Sequence, residues 1–229
     1  MPALTLPSQQ RDFIEWHRGR PHFAVWAVAL DAQPGLDQRL AQVQAALAPW
    51  LLPGYRRQPH ITLHICGFPV RQAQAPDDFD LARLQAQASA LAEALPAPFT
   101  LQLGGAFSFA SAACLAVRDD ASHLARLRRA LSDAVPEADA TPYVPHVTAG
   151  LYNGAWPLAQ VHERLAPLSL APELAVTVRA LSWMCYDSAV VGGPLRPLLQ
   201  VACGPGPAAV EHSAALAAVF QPPSPGAAG

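Results

Sequence analysis

Two patterns of apolar positions occur along this 229-residue chain, short continuous runs and a period near 3.6 residues, and together they predict a mixture of strands and helices. A continuous apolar run at 22–30 is bounded by proline and glycine and predicts a buried strand. Apolar residues recur near a period of 3.6 over 36–51, which predicts a helix. The same criteria predict further helices at 80–95, 122–135 and 158–165, and strands at 60–66, 99–103, 113–117, 144–152 and 174–183.

These predicted elements occur in the same order twice. Each half reads strand, helix, strand, helix, strand, and the second strand of each half begins with Pro-His-x-Thr, at 59–62 and 145–148. A repeated order of elements indicates a duplicated structural unit. We therefore predict an α+β domain over 22–203, with lobes at roughly 22–105 and 106–203 and a cleft between them.

Both ends of the chain are predicted to be peripheral. Residues 1–21 lack a strong period and are interpreted as an N-terminal extension. Residues 204–229 are rich in Pro, Ala and Gly, so we expect a disordered tail around one short helix at most.

The two Pro-His-x-Thr segments are the main candidates for chemistry. The x position and the threonine are β-branched in both copies, which favours an extended backbone. Residues i and i+2 of a strand share a face, so His60 is expected beside Thr62 and His146 beside Thr148. Each pair combines an imidazole that titrates near neutral pH with a hydroxyl donor. With both histidines on central strands facing one cleft, the pairs would form an acid–base site for a phosphate ester.

A metal site is the weaker alternative. His64 lies four positions after His60 and is expected on the same strand face, which leaves this alternative open. Transition-metal sites need three or four ligands, and no carboxylate stands at a recognisable offset. Neither a Gly-x-Ser-x-Gly elbow nor a Walker A sequence is present, since Gly104-Gly105 and Gly192-Gly193 lack its lysine. We therefore predict no metal and no cofactor.

Composition limits the partners. The chain has 15 arginines, no lysine and 17 acidic residues, for a net charge of −2, which argues against a broad nucleic-acid surface but allows a site for one phosphate. The four cysteines form no CxxC pair, so neither a zinc knuckle nor a disulfide framework is indicated. No signal peptide or membrane span is recognised. We expect a cytoplasmic monomer that does not bind membranes.

Aromatic and basic residues near the two motifs are candidates for substrate contact. A base can stack on an aromatic ring, although packing in the core or at the rim is the better explanation for each ring taken alone. The aromatic candidates are Tyr143, Tyr152, Phe68, Phe107, Phe109 and Trp183. Tyr143 is predicted to bind substrate. Arg56 and Arg57 precede the first motif and either approach a phosphate or remain solvated.

The paired motifs resemble those of the 2H phosphoesterase superfamily, which includes bacterial 2′-5′ RNA ligase-like proteins and cyclic nucleotide phosphodiesterases. The resemblance covers roughly 22–202, and Leu63-His64-Ile65-Cys66-Gly67 keeps the Leu and Gly of the family's Leu-x-Phe-Leu-Gly. It implies antiparallel sheets that form a central groove, with helices outside. It also implies metal-independent catalysis by His60 and His146, with Thr62 and Thr148 on the phosphate oxygens.

The substrates that the resemblance implies are a 2′,3′-cyclic phosphate or a 2′-5′ phosphodiester of a ribonucleotide or an RNA end. Two alternatives remain at this point. One is a 3′-end exoribonuclease that leaves a cyclic phosphate. The other is a nucleotide- or RNA-binding module that performs no turnover, which would not need both imidazoles.

Overall fold

The computed structural model describes residues 3–31, 33–138, 142–204 and 214–221. The helices are α1 (Ile14–His17), α2 (Leu36–Leu47, followed by a 3₁₀ turn at Ala48–Trp50), α3 (Leu81–Ala94), α4 (His123–Ala134), α5 (Leu158–Ser169) and α6 (Ala214–Val219). The strands are β1 (His22–Ala29), β2 (His60–Pro69), β3 (Asp78–Phe79), β4 (Phe99–Ser108), β5 (Ala112–Arg118), β6 (His146–Leu151), β7 (Leu174–Val178), β8 (Ala180–Asp187) and β9 (Arg196–Ala202).

Local sequence accounts for most of these elements. Helix α3, for example, begins after Asp80, whose carboxylate accepts a hydrogen bond of 3.0 Å from the backbone N–H of Arg83. Its buried residues recur at helical spacing, at 84, 87, 88 and 91, so that one face packs on the core. Burial of β1 is nearly continuous because both of its faces are covered.

Two mainly antiparallel sheets form the body of the protein, which confirms the predicted α+β fold of two lobes. Their strand orders are β3-β2-β1-β8-β9 and β6-β5-β4-β7, and only β2 and β3 pair in parallel among the described strands. The motif strands β2 and β6 lie at corresponding positions of the two sheets.

The lobes do not follow the predicted division at 105/106. Strand β4, from the first half of the sequence, pairs with β5 and β7, whereas β8 and β9, from the second half, pair within the sheet of β1. The stretch predicted as one strand at 174–183 is in fact β7 and β8, which belong to different sheets. Only Arg179 separates the two strands, and apolar residues continue on both sides of it, so periodicity alone does not reveal the crossover.

Two helices also cross between the halves. Helix α2 packs against α5 and β6, and α4 packs against α3 and β2. Each motif strand is therefore contacted by a helix from the other half of the sequence. This exchange ties the two lobes together beside the motif strands.

Both chain ends contact the body where they are described. The backbone N–H of Thr5 donates to the Trp156 carbonyl at 2.8 Å, and Trp16 packs against Phe23. The prediction for the C-terminal tail allowed one short helix, and α6 is a short helix within that stretch. Directly after it, the buried ring of Phe220 stacks 5.6 Å from that of Trp183. Residues 205–213 and 222–229, which carry the rest of that prediction, lie outside the described residues. Among the described helices, none has the length and apolar character needed to cross a membrane.

Candidate functional site

The two motif strands lack an outer strand neighbour beside their Pro-His-x-Thr segments, among the described strands. Strand β6 ends its sheet, and β2 has an outer neighbour, β3, only along Phe68 and Pro69 within the described part of the chain. The prediction of central strands is therefore wrong for His146, whereas β2 is an inner strand whose outer neighbour does not reach as far as His60. The two edges approach each other across the groove, which brings the repeated motifs together.

Strand register confirms that the motif side chains share faces as predicted. His60 lies opposite Ala29 and Thr62 opposite Ala27, so both face the same side of the sheet. Ile61, between them, is fully buried on the other side. In β6, Val147 is buried in the same way, whereas His146 and Thr148 remain partly exposed.

Both imidazoles are oriented by the same backbone contact. Nδ1 of His60 donates to the Gln58 carbonyl, and Nδ1 of His146 donates to the Val144 carbonyl, each at 2.8 Å. The intervening proline fixes φ and keeps the residue before it extended, which repeats this geometry in each half. Because a carbonyl only accepts, Nδ1 holds the proton of the neutral ring and Nε2 is left to react.

The surroundings of His60 favour its neutral form. Burial, which leaves 8% of the residue exposed, is the main cause that lowers its pKa to about 4. The charge of Arg57, three residues before His60, and that of His146, on the facing strand β6, lower this pKa further. His60 is therefore neutral at neutral pH in the unliganded protein, whereas His146 is more exposed to solvent.

Arg57 is the arginine that the structure brings to the site. Its guanidinium stacks over the Tyr186 ring at 3.8 Å, and its Nε donates to the Gly193 carbonyl at 3.2 Å. Among the described residues, no carboxylate forms an ion pair with it. Arg57 thus supplies a held cation beside His60.

Tyr55 is a site residue that the sequence analysis missed. Burial raises the pKa of the Tyr55 hydroxyl to about 12, and the Thr148 side chain is the smallest of the influences that lower this pKa. Gly192 adopts a φ of +66°, and a Cβ there would lie 2.8 Å from the Tyr55 ring. In the sequence, the Gly192-Gly193 pair was the one sign of this contact, because a glycine lets its backbone approach the Tyr55 ring closely.

Tyr143 contacts the backbone of the other motif strand. Its hydroxyl donates to the Thr62 carbonyl at 3.0 Å, and the Arg128 guanidinium lies 4.7 Å from the centre of its ring. The ring is half-buried, and burial raises the pKa of its hydroxyl. Its predicted contact with substrate stays a prediction.

The other aromatic candidates divide into two groups. Phe109 lies edge-on to the His146 ring at 5.0 Å and packs against Phe107, so this pair borders the site. The remaining three, Phe68, Tyr152 and Trp183, have no exposed surface. Complete burial excludes base stacking on those three rings.

His64 does not share the face of His60. A bulge between Trp26 and Ala27 in the β1–β2 register turns His64 into the core, where 1% of it is exposed. Its Nε2 accepts a hydrogen bond of 2.9 Å from the amide of Gln87. The metal alternative that included His64 therefore loses its third ligand. Within the described parts of the chain, no three His, Cys, Asp or Glu side chains are grouped to hold a metal ion.

We expect the free energy of unfolding to decrease as the pH falls from about 6.5 to 4. Burial lowers the pKa values of both His60 and His64 to about 4, from 6.5 when exposed. Over this interval the unfolded chain binds protons that the folded chain does not, at a cost of about 3 kcal/mol per group. Urea unfolding at several pH values measures the slope, and His64→Gln should reduce it. An equal slope in the variant would contradict this assignment.

Comparison with known proteins gives one family and several similar structures. A model of the family described as "2′-5′ RNA ligase superfamily" matches residues 32–189. No curated protein sequence matches the chain. TT0787 of Thermus thermophilus is 18% identical, with 79% of this chain and 97% of that chain covered and a TM-score of 0.52, so the two share a fold.

Two further solved structures are similar over most of their length. E. coli LigT complexed with 3′-AMP is 18% identical, with 80% of this chain and 98% of that chain covered and a TM-score of 0.49. Kluyveromyces marxianus Usb1 with uridine monophosphate is 15% identical, with 79% of this chain and 99% of that chain covered and a TM-score of 0.47.

Proposed function

Because the chain belongs to the 2′-5′ RNA ligase superfamily, we propose that it is a metal-independent phosphoesterase acting on ribonucleotides or RNA ends. Its substrate is a 2′,3′-cyclic phosphate or a 2′-5′ phosphodiester, which it hydrolyses or forms reversibly. One observation carries the proposal: two imidazoles, held identically through Nδ1, present Nε2 at neighbouring sheet edges. Such a pair suits acid–base chemistry at one phosphorus.

In hydrolysis of a cyclic phosphate, the neutral His60 takes a proton from water as the water oxygen attacks phosphorus. The bond from phosphorus to one ribose oxygen breaks, and His146, in its protonated form, donates a proton to that oxygen. His60 is the base in this direction because burial and Arg57 lower its pKa to about 4. In the reverse reaction the two histidines exchange roles.

Three further groups of the site would stabilise the charge that develops on the phosphate. The hydroxyls of Thr62 and Thr148 lie on the motif faces and donate to the non-bridging oxygens. The guanidinium of Arg57 is fixed beside His60 and adds a positive charge.

The proposed function is tested by incubating the protein with 2′,3′-cyclic mononucleotides, 2′-5′-linked dinucleotides and RNA oligonucleotides in the presence of EDTA. We expect turnover of a cyclic phosphate or a 2′-5′ bond that chelation does not change. Stepwise shortening of RNA that leaves cyclic phosphates would favour an exoribonuclease. Saturable binding without product would favour a binding module. Loss of turnover in EDTA that Zn²⁺ or Mn²⁺ restores would contradict the two-histidine scheme.

We also expect a bell-shaped dependence of kcat/KM on pH. Activity falls on the acid side as His60 becomes protonated and on the alkaline side as the acid partner loses its proton. Replacing Arg57 with Gln removes a charge that lowers the pKa of His60, so the acid limb should move to higher pH. Arg56→Gln is the matched control, because the Arg56 charge is not among the causes that shift the pKa of His60. If the acid limbs of Arg57→Gln and Arg56→Gln lay at the same pH, Arg57 would not be the residue that lowers the pKa of His60.

A further inference from the structure

Along the outer edge of the first motif strand, β2, backbone groups form hydrogen bonds with side chains and not with another strand. Along β2 from His60 to Gly67, no described strand lies on the side away from β1. Backbone groups at a strand edge that have no neighbouring strand need other hydrogen-bond partners. Here Thr62 O, Leu63 O and Ile65 N, around the bulge, all bond to side chains that precede the second motif.

An ion pair binds two of these backbone groups at once. Arg128 on α4 donates from Nη1 to the Leu63 carbonyl at 2.8 Å and to Oε1 of Glu137 at 2.9 Å, and its Nη2 contacts Oε2. Oε1 of Glu137 accepts a hydrogen bond of 2.7 Å from the Ile65 N–H. The side chains of Glu137 and Arg128 are only 7% and 19% exposed, so the pair is held in a largely desolvated position.

The second half of the molecule has a corresponding contact. Leu63 is the third residue after His60, and Ala149 is the third residue after His146. The Ala149 carbonyl accepts a hydrogen bond of 3.0 Å from the Gln44 amide on α2. In each half, therefore, the helix that crosses from the other half binds the same carbonyl of the motif strand. The donor is an amide in one half and a guanidinium in the other, but both bind the carbonyl at the same position of the motif strand. This indicates that the position of the motif strand backbone, not one type of donor, is what the contact serves.

We propose that Arg128 and Glu137 are positioning residues that set the His60–Thr62 face against the His146–Thr148 face. The inference rests on the proposed function, since it assigns these residues to the same reaction. The two carbonyls bound by Tyr143 and Arg128 are those of Thr62 itself and its successor, so this contact fixes the backbone that carries the threonine hydroxyl. A shift of about 1 Å at reacting groups can cost about 10²-fold in rate.

The test compares Arg128→Met and Arg128→Lys with Arg118→Met, well below the melting temperature of each variant. Arg118 also pairs with a glutamate, Glu173, but both side chains are exposed and bond to surface partners. We expect Arg128→Met to lower kcat about 10- to 100-fold with KM changed less than about threefold. The kcat of Arg128→Lys should lie between those of Arg128→Met and the wild type. One ammonium group reaches only one of the two acceptors, the Leu63 carbonyl and the Glu137 carboxylate, in good geometry. Arg118→Met should match the wild type.

A purely structural role predicts a different pattern. Arg128→Met would then lower the melting temperature but leave kcat of the folded protein unchanged, and that result overturns the proposal. Hydrogen exchange at the Ile65 amide gives a readout that needs no turnover. It should accelerate at least about tenfold in Arg128→Met and not in Arg118→Met, and an unchanged rate would also overturn the proposal. If the wild-type protein converts no substrate, the proposed function fails while the exchange result still decides the backbone contact.

Discussion

Replacing either motif histidine with alanine is expected to lower kcat/KM for a 2′,3′-cyclic mononucleotide by about 10²–10⁴-fold. Each ring holds its Nδ1 proton on a carbonyl and presents Nε2, so neither ring can perform both proton transfers at once. Replacement of His162, which is exposed on α5, is the matched control and should leave activity unchanged. Near-normal activity of either His60→Ala or His146→Ala would contradict the mechanism.

The two histidines are also expected to respond differently to the leaving group. A 4-nitrophenyl phosphodiester releases a stable anion, so it has little need of a general acid. His146→Ala should therefore lose less activity on this substrate than on the cyclic nucleotide, whereas His60→Ala should lose a similar factor on both. The reverse pattern would assign the base to His146 and would show that the lowered pKa of free His60 does not govern its role.

Replacing Thr62 or Thr148 with valine is expected to lower kcat by about 10²–10³-fold, the range found when one oxyanion donor is removed. Valine keeps the branched shape and the strand preference of threonine but has no hydroxyl. Serine retains the donor, so Thr62→Ser and Thr148→Ser should be much milder. The pH optimum should barely move, because the titrating groups remain.

The matched control for the threonines is Thr177→Val, at an exposed position of β7 outside the site, which should have no effect on kcat. Wild-type kcat/KM in both motif variants would mean that the threonines serve only as strand formers. That result would leave the histidines as the acting groups of the motifs. A severe loss at one threonine alone would assign the phosphate contact to that side of the groove.

Much of the fold was predictable because its elements are determined locally. The period of apolar residues predicted β1 and α3 nearly to their ends, and turn residues predicted where they stop. Strand β9 was missed because Pro197 weakens its pattern, and a proline is tolerated there because β9 is an edge strand. The exchange of β4 and β8 between sheets was not predictable from periodicity, since strands of either sheet alternate in the same way.

The candidate site, too, was predictable where it depends on local sequence and unpredictable where it depends on tertiary contacts. The repeated Pro-His-x-Thr segments predicted which side chains share a face, because alternation along a strand is a property of the backbone. The same rule failed for His64, because the bulge that turns it into the core arises from pairing with β1. Tyr143 was noticed for its ring, yet its hydroxyl contacts a carbonyl 81 residues away.

By itself, the sequence determined the duplicated α+β unit, the facing of each His-x-Thr pair and the proline that orients each imidazole. The tertiary structure alone decided that the motif segments of β2 and β6 have no described outer strand beside them. It also decided that Arg57, Tyr55 and the Arg128–Glu137 pair lie near these segments. The physical reason is the separation along the sequence between the residues that make each contact. Facing and capping depend on neighbours a few residues away, whereas these contacts join residues as far apart as 136 positions and leave no period in the sequence.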